Sequence, residues 1–242
     1  MRIASAIKYQ LWSVKNSLII YYAIMYALFI LAIVNLRAAQ QANMVVSMGG
    51  FEGASIIFIF VMGLNLFKES FNMLMQNGID RKRIFASSIV VLLIVAAFMA
   101  LLDLINSNIV GGMISYTTFF SQIYSSSVMK IGYIGELLWS MVFYAGFAVI
   151  GLFIASLYYR MSKGMKILVS VGVPALMFIG LPLFDGRVFG GKLFAAIGRF
   201  VNFIFGFAHG GNPYIYVMCG TAFLIIAAAL VWLVIRRAQV KV

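Results

Sequence analysis

The sequence predicts an all-α membrane protein with six transmembrane helices and with both termini in the cytoplasm. Hydrophobic residues make up 64% of the 242 positions, and the mean hydropathy is +1.06. Charged residues gather between long apolar stretches, and a helix needs about 20 such residues to cross ~30 Å of hydrocarbon. Backbone in lipid must satisfy its own hydrogen bonds, so these stretches are expected to be helical. The predicted spans cover about residues 18–36, 54–75, 84–105, 137–158, 167–184 and 214–235.

The distribution of Lys and Arg predicts the orientation of the spans. One side carries twelve basic residues, namely Arg2, Lys8, Lys15, Arg81, Lys82, Arg83, Arg160, Lys163, Lys166, Arg236, Arg237 and Lys241. The other side carries five, namely Arg37, Lys130, Arg187, Lys192 and Arg199. Short loops rich in Lys and Arg stay in the cytoplasm, so the first group is placed inside. The net charge of +12 is therefore attributed to topology and to contact with anionic lipid rather than to nucleic-acid binding.

Residues 1–242 are predicted to form a single transmembrane domain, because the stretches outside the spans reach only about thirty residues. Cys219 is the sole cysteine, so the chain cannot form an internal disulfide. Its cysteine content therefore gives no indication of the redox compartment. The first apolar run is interpreted as a span. It is longer than the apolar region of a signal peptide, and no small-x-small cleavage site follows it.

Residues 1–17 are predicted to form a basic amphipathic helix at the membrane interface. Apolar side chains recur along it at spacings of three and four residues, from Ile3 to Leu18, which is one helical face. Arg2, Lys8 and Lys15 make the segment basic, as is typical of interfacial helices. A plain membrane anchor and a gating role are both open interpretations.

The second span is unusual because Lys68 and Glu69 interrupt its apolar run. They are interpreted either as functional charges within the membrane or as groups at the inner headgroup level, where Lys68 can snorkel. Asn77-Gly78 then predicts a turn, and Asp80 suits the N-cap of a short helix that leads into the third span. A compact, charged turn between two long helices is suited to transmitting force, although an ordinary basic inner loop has the same charge.

Two outer segments are predicted to contain short helices at the outer leaflet. Residues 106–135, between spans three and four, and residues 185–213, between spans five and six, both carry aromatic or aliphatic side chains at helical spacing. They either pack over the span ends or gate a lipophilic substrate. Pro174 is expected to kink the fifth span. Gly151 and Ala155 form a small-xxx-small pair that permits close helix contact in the fourth.

Catalytic and metal-binding motifs are largely excluded. Residues 186–192 match GxxxxGK, but Leu193 stands where a P-loop needs Ser or Thr, and no buried strand precedes it. His209 is the only histidine, so HExxH and typical zinc sites are excluded. No GxSxG motif is present. We therefore expect a chain that is not itself an enzyme, with no metal site and no ATP site of its own.

Asp103 and Glu136 form a candidate gate or ion site. Both acids lie near the predicted outer ends of their helices, the third and fourth. Ionisable residues within membrane spans often mark ion or proton pathways. A proton-driven pump would more naturally hold its acids nearer the midplane.

The chain as a whole resembles the ABC-2 type permease subunits of bacterial ABC transporters. The shared architecture is a basic amphipathic N-terminal helix, six spans with both ends inside, a long second span and a partly apolar segment between spans five and six. That family joins the second and third spans through a turn of the form Gly-x-x-Arg-x-x-x-Phe. Gly78, Arg81 and Phe85 match it in order and spacing, while Asp80 stands where the family often has Ser.

The resemblance implies a mechanism and a set of partners. Two permease chains, either identical copies or paralogues, would pair in the bacterial cytoplasmic membrane above two separate ATP-binding cassette subunits, which hold the ATP and Mg²⁺. The inner turn would act as a coupling helix seated in a groove of the ATPase. The residues assigned to coupling are Asn77, Gly78, Ile79, Asp80, Arg81, Lys82, Arg83 and Phe85. The expected cargo is lipophilic or amphipathic, with a peptide or antibiotic favoured, so a role in antimicrobial resistance is among the expectations.

Three functional hypotheses remain open from the sequence. The first is the ATP-driven export permease. The second is a proton- or cation-coupled carrier that uses Asp103 and Glu136. The third is a membrane scaffold or sensor partner that transports nothing.

Overall fold

The computed structural model describes residues 2–41, 48–124 and 132–237, and this part of the chain is almost entirely helical. The helices are α1 (Arg2–Gln41), α2 (Glu52–Gln76), α3 (Arg81–Gly111), α4 (Phe119–Ile123), α5 (Tyr133–Arg160), α6 (Lys163–Ala175), α7 (Leu181–Phe184), α8 (Lys192–Ile204) and α9 (Pro213–Ile235). Two short strands, β1 (Met48–Gly49) and β2 (Tyr116–Thr117), pair in parallel. Lys130 and Lys241 lie outside the described residues.

In the described part of the chain, six helical stretches are long and apolar enough to cross a membrane, so the predicted class of all-α, multi-pass membrane protein is confirmed. They are Ile3–Arg37, Glu52–Gln76, Arg81–Gly111, Tyr133–Arg160, Lys163–Phe189 and Pro213–Ile235. Each contains one of the predicted spans. The orientation of these helices across the membrane stays a prediction.

The first helix joins the segment over residues 1–17 to the first span without a break, and the interfacial position of that segment stays a prediction. Helix α1 is one continuous helix of 40 residues, and no Gly or Pro interrupts it. Its N-terminal part packs along α3: Ala6 and Val14 are buried, and the buried Gln10 donates from Nε2 to Ser88 Oγ over 3.0 Å. Of the apolar stripe that suggested an interfacial helix, Val14 is buried, Ile7, Leu11 and Leu18 are half-buried, and Ile3 is exposed.

Helix α5 lies at the centre of the bundle, where it packs against α2, α3 and α9. Its crossing with α2 is close because both helices carry glycine there. A Cβ atom on Gly63 would overlap the Ala148 carbonyl oxygen, and one on Gly151 would overlap the Phe60 carbonyl oxygen. The predicted role of Gly151 in close packing is confirmed, whereas Ala155 is only half-buried. Ala148, which is fully buried, is the second small residue of this crossing.

The fifth span stands apart from the bundle. Helices α6 and α7 bury none of their side chains, and the hydroxyls of Tyr158 and Ser170 form a hydrogen bond of 2.8 Å between α5 and α6. Beyond Pro174 the helix widens into π-helical segments at Leu176–Gly180 and Asp185–Phe189. π-Helical turns and kinks both occur where regular α-helical hydrogen bonding is interrupted, as it is at a proline.

Short helices occur in both predicted outer segments. Thr118 caps α4 by accepting a hydrogen bond from Ser121 N over 3.1 Å. The buried Asp185 carboxylate accepts from the backbone N–H groups of Leu193 and Phe194 at 2.9 and 3.0 Å, which ties the end of the fifth span to the start of α8. The position of α4 and α8 at the outer leaflet stays a prediction.

Candidate functional site

The turn between α2 and α3 is set by glycine. Helix α2 ends at Gln76, Gly78 adopts a φ of +71°, and Ile79 N donates back to Leu74 O over 3.0 Å. This left-handed residue closes the helix in the way that C-terminal glycines commonly do. A Cβ on Gly78 would meet no atom within 4 Å. The requirement for glycine is therefore conformational rather than a matter of space.

Asp80 occupies the N-cap position of α3, but its side chain does not cap the helix. The backbone of Asp80 is extended, and its carboxylate accepts no hydrogen bond from the first turn. Instead, Asp80 Oδ2 lies 3.7 Å from Arg83 Nε, with both side chains largely exposed. The expected short helix before the third span is the first turn of α3 itself, because α3 runs unbroken from Arg81.

The eight residues assigned to this turn divide into an outward and an inward group. The exposed members are Asn77, Gly78, Asp80, Lys82 and Arg83, and the others are the buried Ile79 and the half-buried Arg81 and Phe85.

The inward group attaches the turn to the end of α9. Arg81 Nη1 donates to the backbone carbonyl of Arg236 over 3.2 Å. The ring centroids of Phe85 and Trp232 lie 5.5 Å apart. The turn is therefore held by three helices, and it presents mainly Lys82, Arg83 and Asp80 outward.

At the other end of the bundle, Asp103 is held by two tyrosines. The hydroxyl of Tyr144 donates to Asp103 Oδ2 over 2.6 Å, and that of Tyr22 donates to Asp103 Oδ1 over 3.1 Å. Tyr21 and Ser55 form a neighbouring hydroxyl pair 2.7 Å apart. The side chains come from α1, α2, α3 and α5, so this polar cluster joins four helices.

Glu136 lines the same small cavity as Asp103, and Glu52 lines it too. The structure thus brings together the two predicted acids and adds a third. Glu52 lies in the first turn of α2 and accepts a hydrogen bond from the Tyr116 hydroxyl over 2.9 Å. Burial, with the Glu52 carboxylate beside it, raises the pKa of the Tyr116 phenol, which therefore stays a donor.

Glu52 could have been recognised from the sequence. Alternating spans bring the start of the second, the end of the third and the start of the fourth to one end of the bundle, and each of these segments carries one acid. The cavity among them measures ≈ 10 Å³, which is room for about one water molecule. Among the described residues, no three His, Cys, Asp or Glu side chains are grouped closely enough to hold a metal ion.

The remaining sequence motifs have ordinary surroundings. The GxxxxGK match lies in the π-helical end of the fifth span and the left-handed turn at Gly190-Gly191, and a helix rather than a strand precedes it. His209 ends a 3-10 turn, with its ring centroid 5.9 Å from that of Phe203. The side chains of Lys68 and Glu69 lie outside what the structure describes, so their two interpretations stay open.

Comparison of the chain with family models, curated proteins and solved structures finds no match.

Proposed function

We propose that this chain is the permease subunit of an ATP-driven exporter of the ABC-2 type. In this proposal it pairs with a second permease chain and docks two separate ATPase subunits, which supply the ATP hydrolysis. The cargo is lipophilic or amphipathic and moves outward, with a peptide or antibiotic as the favoured class.

The α2–α3 turn is the observation that carries the proposal. It is exposed and basic, and it connects two long helices without a flexible linker. A movement of a docked ATPase against Lys82 or Arg83 would therefore be transmitted to both α2 and α3. The hydrogen bond from Arg81 to the Arg236 carbonyl would transmit the same movement to α9. Arginine offers a planar fork of donors to acidic groups on a partner.

Charge reversal at the exposed part of the turn tests the proposal. The double variant Lys82→Glu, Arg83→Glu leaves the Arg81 contact in place and should lower association with the candidate ATPase of the source genome by about tenfold or more, since each 1.4 kcal/mol is tenfold. The matched control is Lys163→Glu, an exposed lysine at the start of α6. Equal association for the double variant, the control and the parent chain would remove the main support for an ABC permease.

The three acids favour a second candidate, a proton- or cation-coupled carrier. Glu52, Asp103 and Glu136 line one cavity, and none of the described Lys and Arg residues is among its lining residues. Carboxylates without a basic partner in a membrane protein are typical of ion and proton pathways. Reconstituted vesicles separate the candidates. A carrier would transport with a proton gradient and no ATP and would lose that activity in Asp103→Asn, whereas the proposed permease requires ATP and its ATPase.

A further inference from the structure

A lateral groove between α1 and α3 has no part in the function proposed above. Its volume is ≈ 630 Å³, and its walls are almost wholly apolar, with Ile19, Ile94 and Phe98 among the exposed side chains. This size lies within the range of ordinary ligand sites. The groove continues along α1 to Tyr26, a length of about 16 Å from Lys15 at 1.5 Å per residue.

Among the described residues that line the groove, Lys15 is the one that carries a charge, and its side chain is exposed. The salt bridge found among the described side chains joins Arg83 and Asp80, so Lys15 has no acidic partner there. Lys8 lies two helical turns earlier on the same face of α1 and is also exposed.

The register between α1 and α3 places Lys15 far along the length of the bundle from its basic end. Hydrogen bonds join residues of the two helices that differ by 77 to 81 positions, from Gln10–Ser88 to Tyr26–Asn106. Lys15 is therefore level with about Val95, which lies roughly 18 Å along α3 from the basic turn at Arg83. An exposed cation at that level is costly unless it snorkels or meets an anion.

We propose that the groove binds one anionic phospholipid. Helical side chains tilt toward the N-terminus of their helix, so the Lys15 ammonium is directed toward the basic end of the bundle, from which a lipid headgroup enters the groove. The phosphate meets Lys15 from that side, and one acyl chain extends along the groove toward Tyr26. The headgroup belongs to the inner leaflet under the predicted orientation. Charge complementarity at Lys15 selects an anionic lipid over a zwitterionic one.

The test uses the full chain in nanodiscs of phosphatidylcholine with added phosphatidylglycerol, followed by mass measurement of the lipid retained per chain. The parent chain should retain phosphatidylglycerol about fivefold over phosphatidylcholine, the factor that one lysine contributes near an anionic surface. Lys15→Gln should lose the preference and Lys15→Arg should keep it. Lys163→Gln, which removes an exposed lysine outside the groove, should also keep it.

A groove-filling variant tests the position of the acyl chain. Ala23 lines the groove and is exposed, so Ala23→Phe places its ring in open space and leaves Lys15 unchanged. This variant should reduce the retention of phosphatidylglycerol to the level found with Lys15→Gln. Unchanged retention in Ala23→Phe would show that the lipid lies elsewhere. Equal losses in Lys15→Gln and Lys163→Gln would show that only overall charge matters. Either result overturns the proposal.

Discussion

Replacing Gly78 tests whether the α2–α3 turn is a docking surface or only a connection. Gly78 has a φ of +71°, and Gly191, at the start of α8, has a φ of +82°. A Cβ at either position would meet nothing within 4 Å. Substitution therefore costs only the left-handed backbone strain, about 1–2 kcal/mol at each site. Gly191 is the matched control because it lies at the other end of the fifth span from the basic inner loops.

The comparison of alanine with tryptophan separates strain from docking. Because both positions open into free space, tryptophan and alanine should lower thermal stability to similar extents at each. If an ATPase covers the turn, Gly78→Trp should cost a further 1–3 kcal/mol or so of binding through overpacking, roughly 5–150-fold in Kd. Gly191→Trp should bind the ATPase as tightly as Gly191→Ala does.

Two measurements show whether the turn is a docking surface or only a connection. Thermal melting in detergent gives the stability of the four variants, and surface-immobilised nanodiscs give the Kd for the candidate ATPase. If Gly78→Trp binds as tightly as Gly78→Ala while all four variants remain folded, the turn is not covered by the partner and the reasoning is refuted.

Three further predictions concern the fold, the orientation and the acid cluster. Gly151→Leu should lower the free energy of unfolding by about 1–3 kcal/mol through overlap with the α2 backbone; an unchanged melting temperature would contradict the close crossing. Single cysteines at Ser162 and Asn212, in a Cys219→Ala background, should react with an impermeant reagent from opposite sides of the membrane, and labelling of both from outside would refute the predicted orientation. Asp103→Asn should cost about 1–3 kcal/mol, because an amide nitrogen replaces one of the two oxygens that accept from the Tyr144 and Tyr22 hydroxyls; a melting temperature equal to that of the parent chain would show that this cluster contributes nothing to stability.

Hydropathy and turn chemistry predicted the spans well because both signals are local. Apolar runs of about twenty residues determine helices in lipid whatever their neighbours are. Asn77-Gly78 marked the end of α2 because few residues other than glycine adopt positive φ easily. The short helices α4 and α8 were also recognisable from apolar side chains at helical spacing.

Features that depend on neighbouring helices were missed. The apolar stripe over Ile3 to Leu18 has the same spacing in an interfacial helix and in a helix partly packed against α3, so the sequence did not reveal that Val14 is buried or that α1 is continuous. The pairing of Met48–Gly49 with Tyr116–Thr117 is too short to produce an alternating pattern. Glu52 was overlooked because it lies just before the predicted second span over residues 54–75, although the alternation of spans brings it to the same end of the bundle as Asp103 and Glu136.

The most direct test of the central claim is the mass of the assembly that this chain forms with its candidate ATPase in a mild detergent or nanodisc. The chain has a mass of 26.8 kDa. We expect a particle that contains two permease chains and two ATPase subunits and that hydrolyses ATP. A monodisperse single chain that transports a substrate without any ATPase would contradict it.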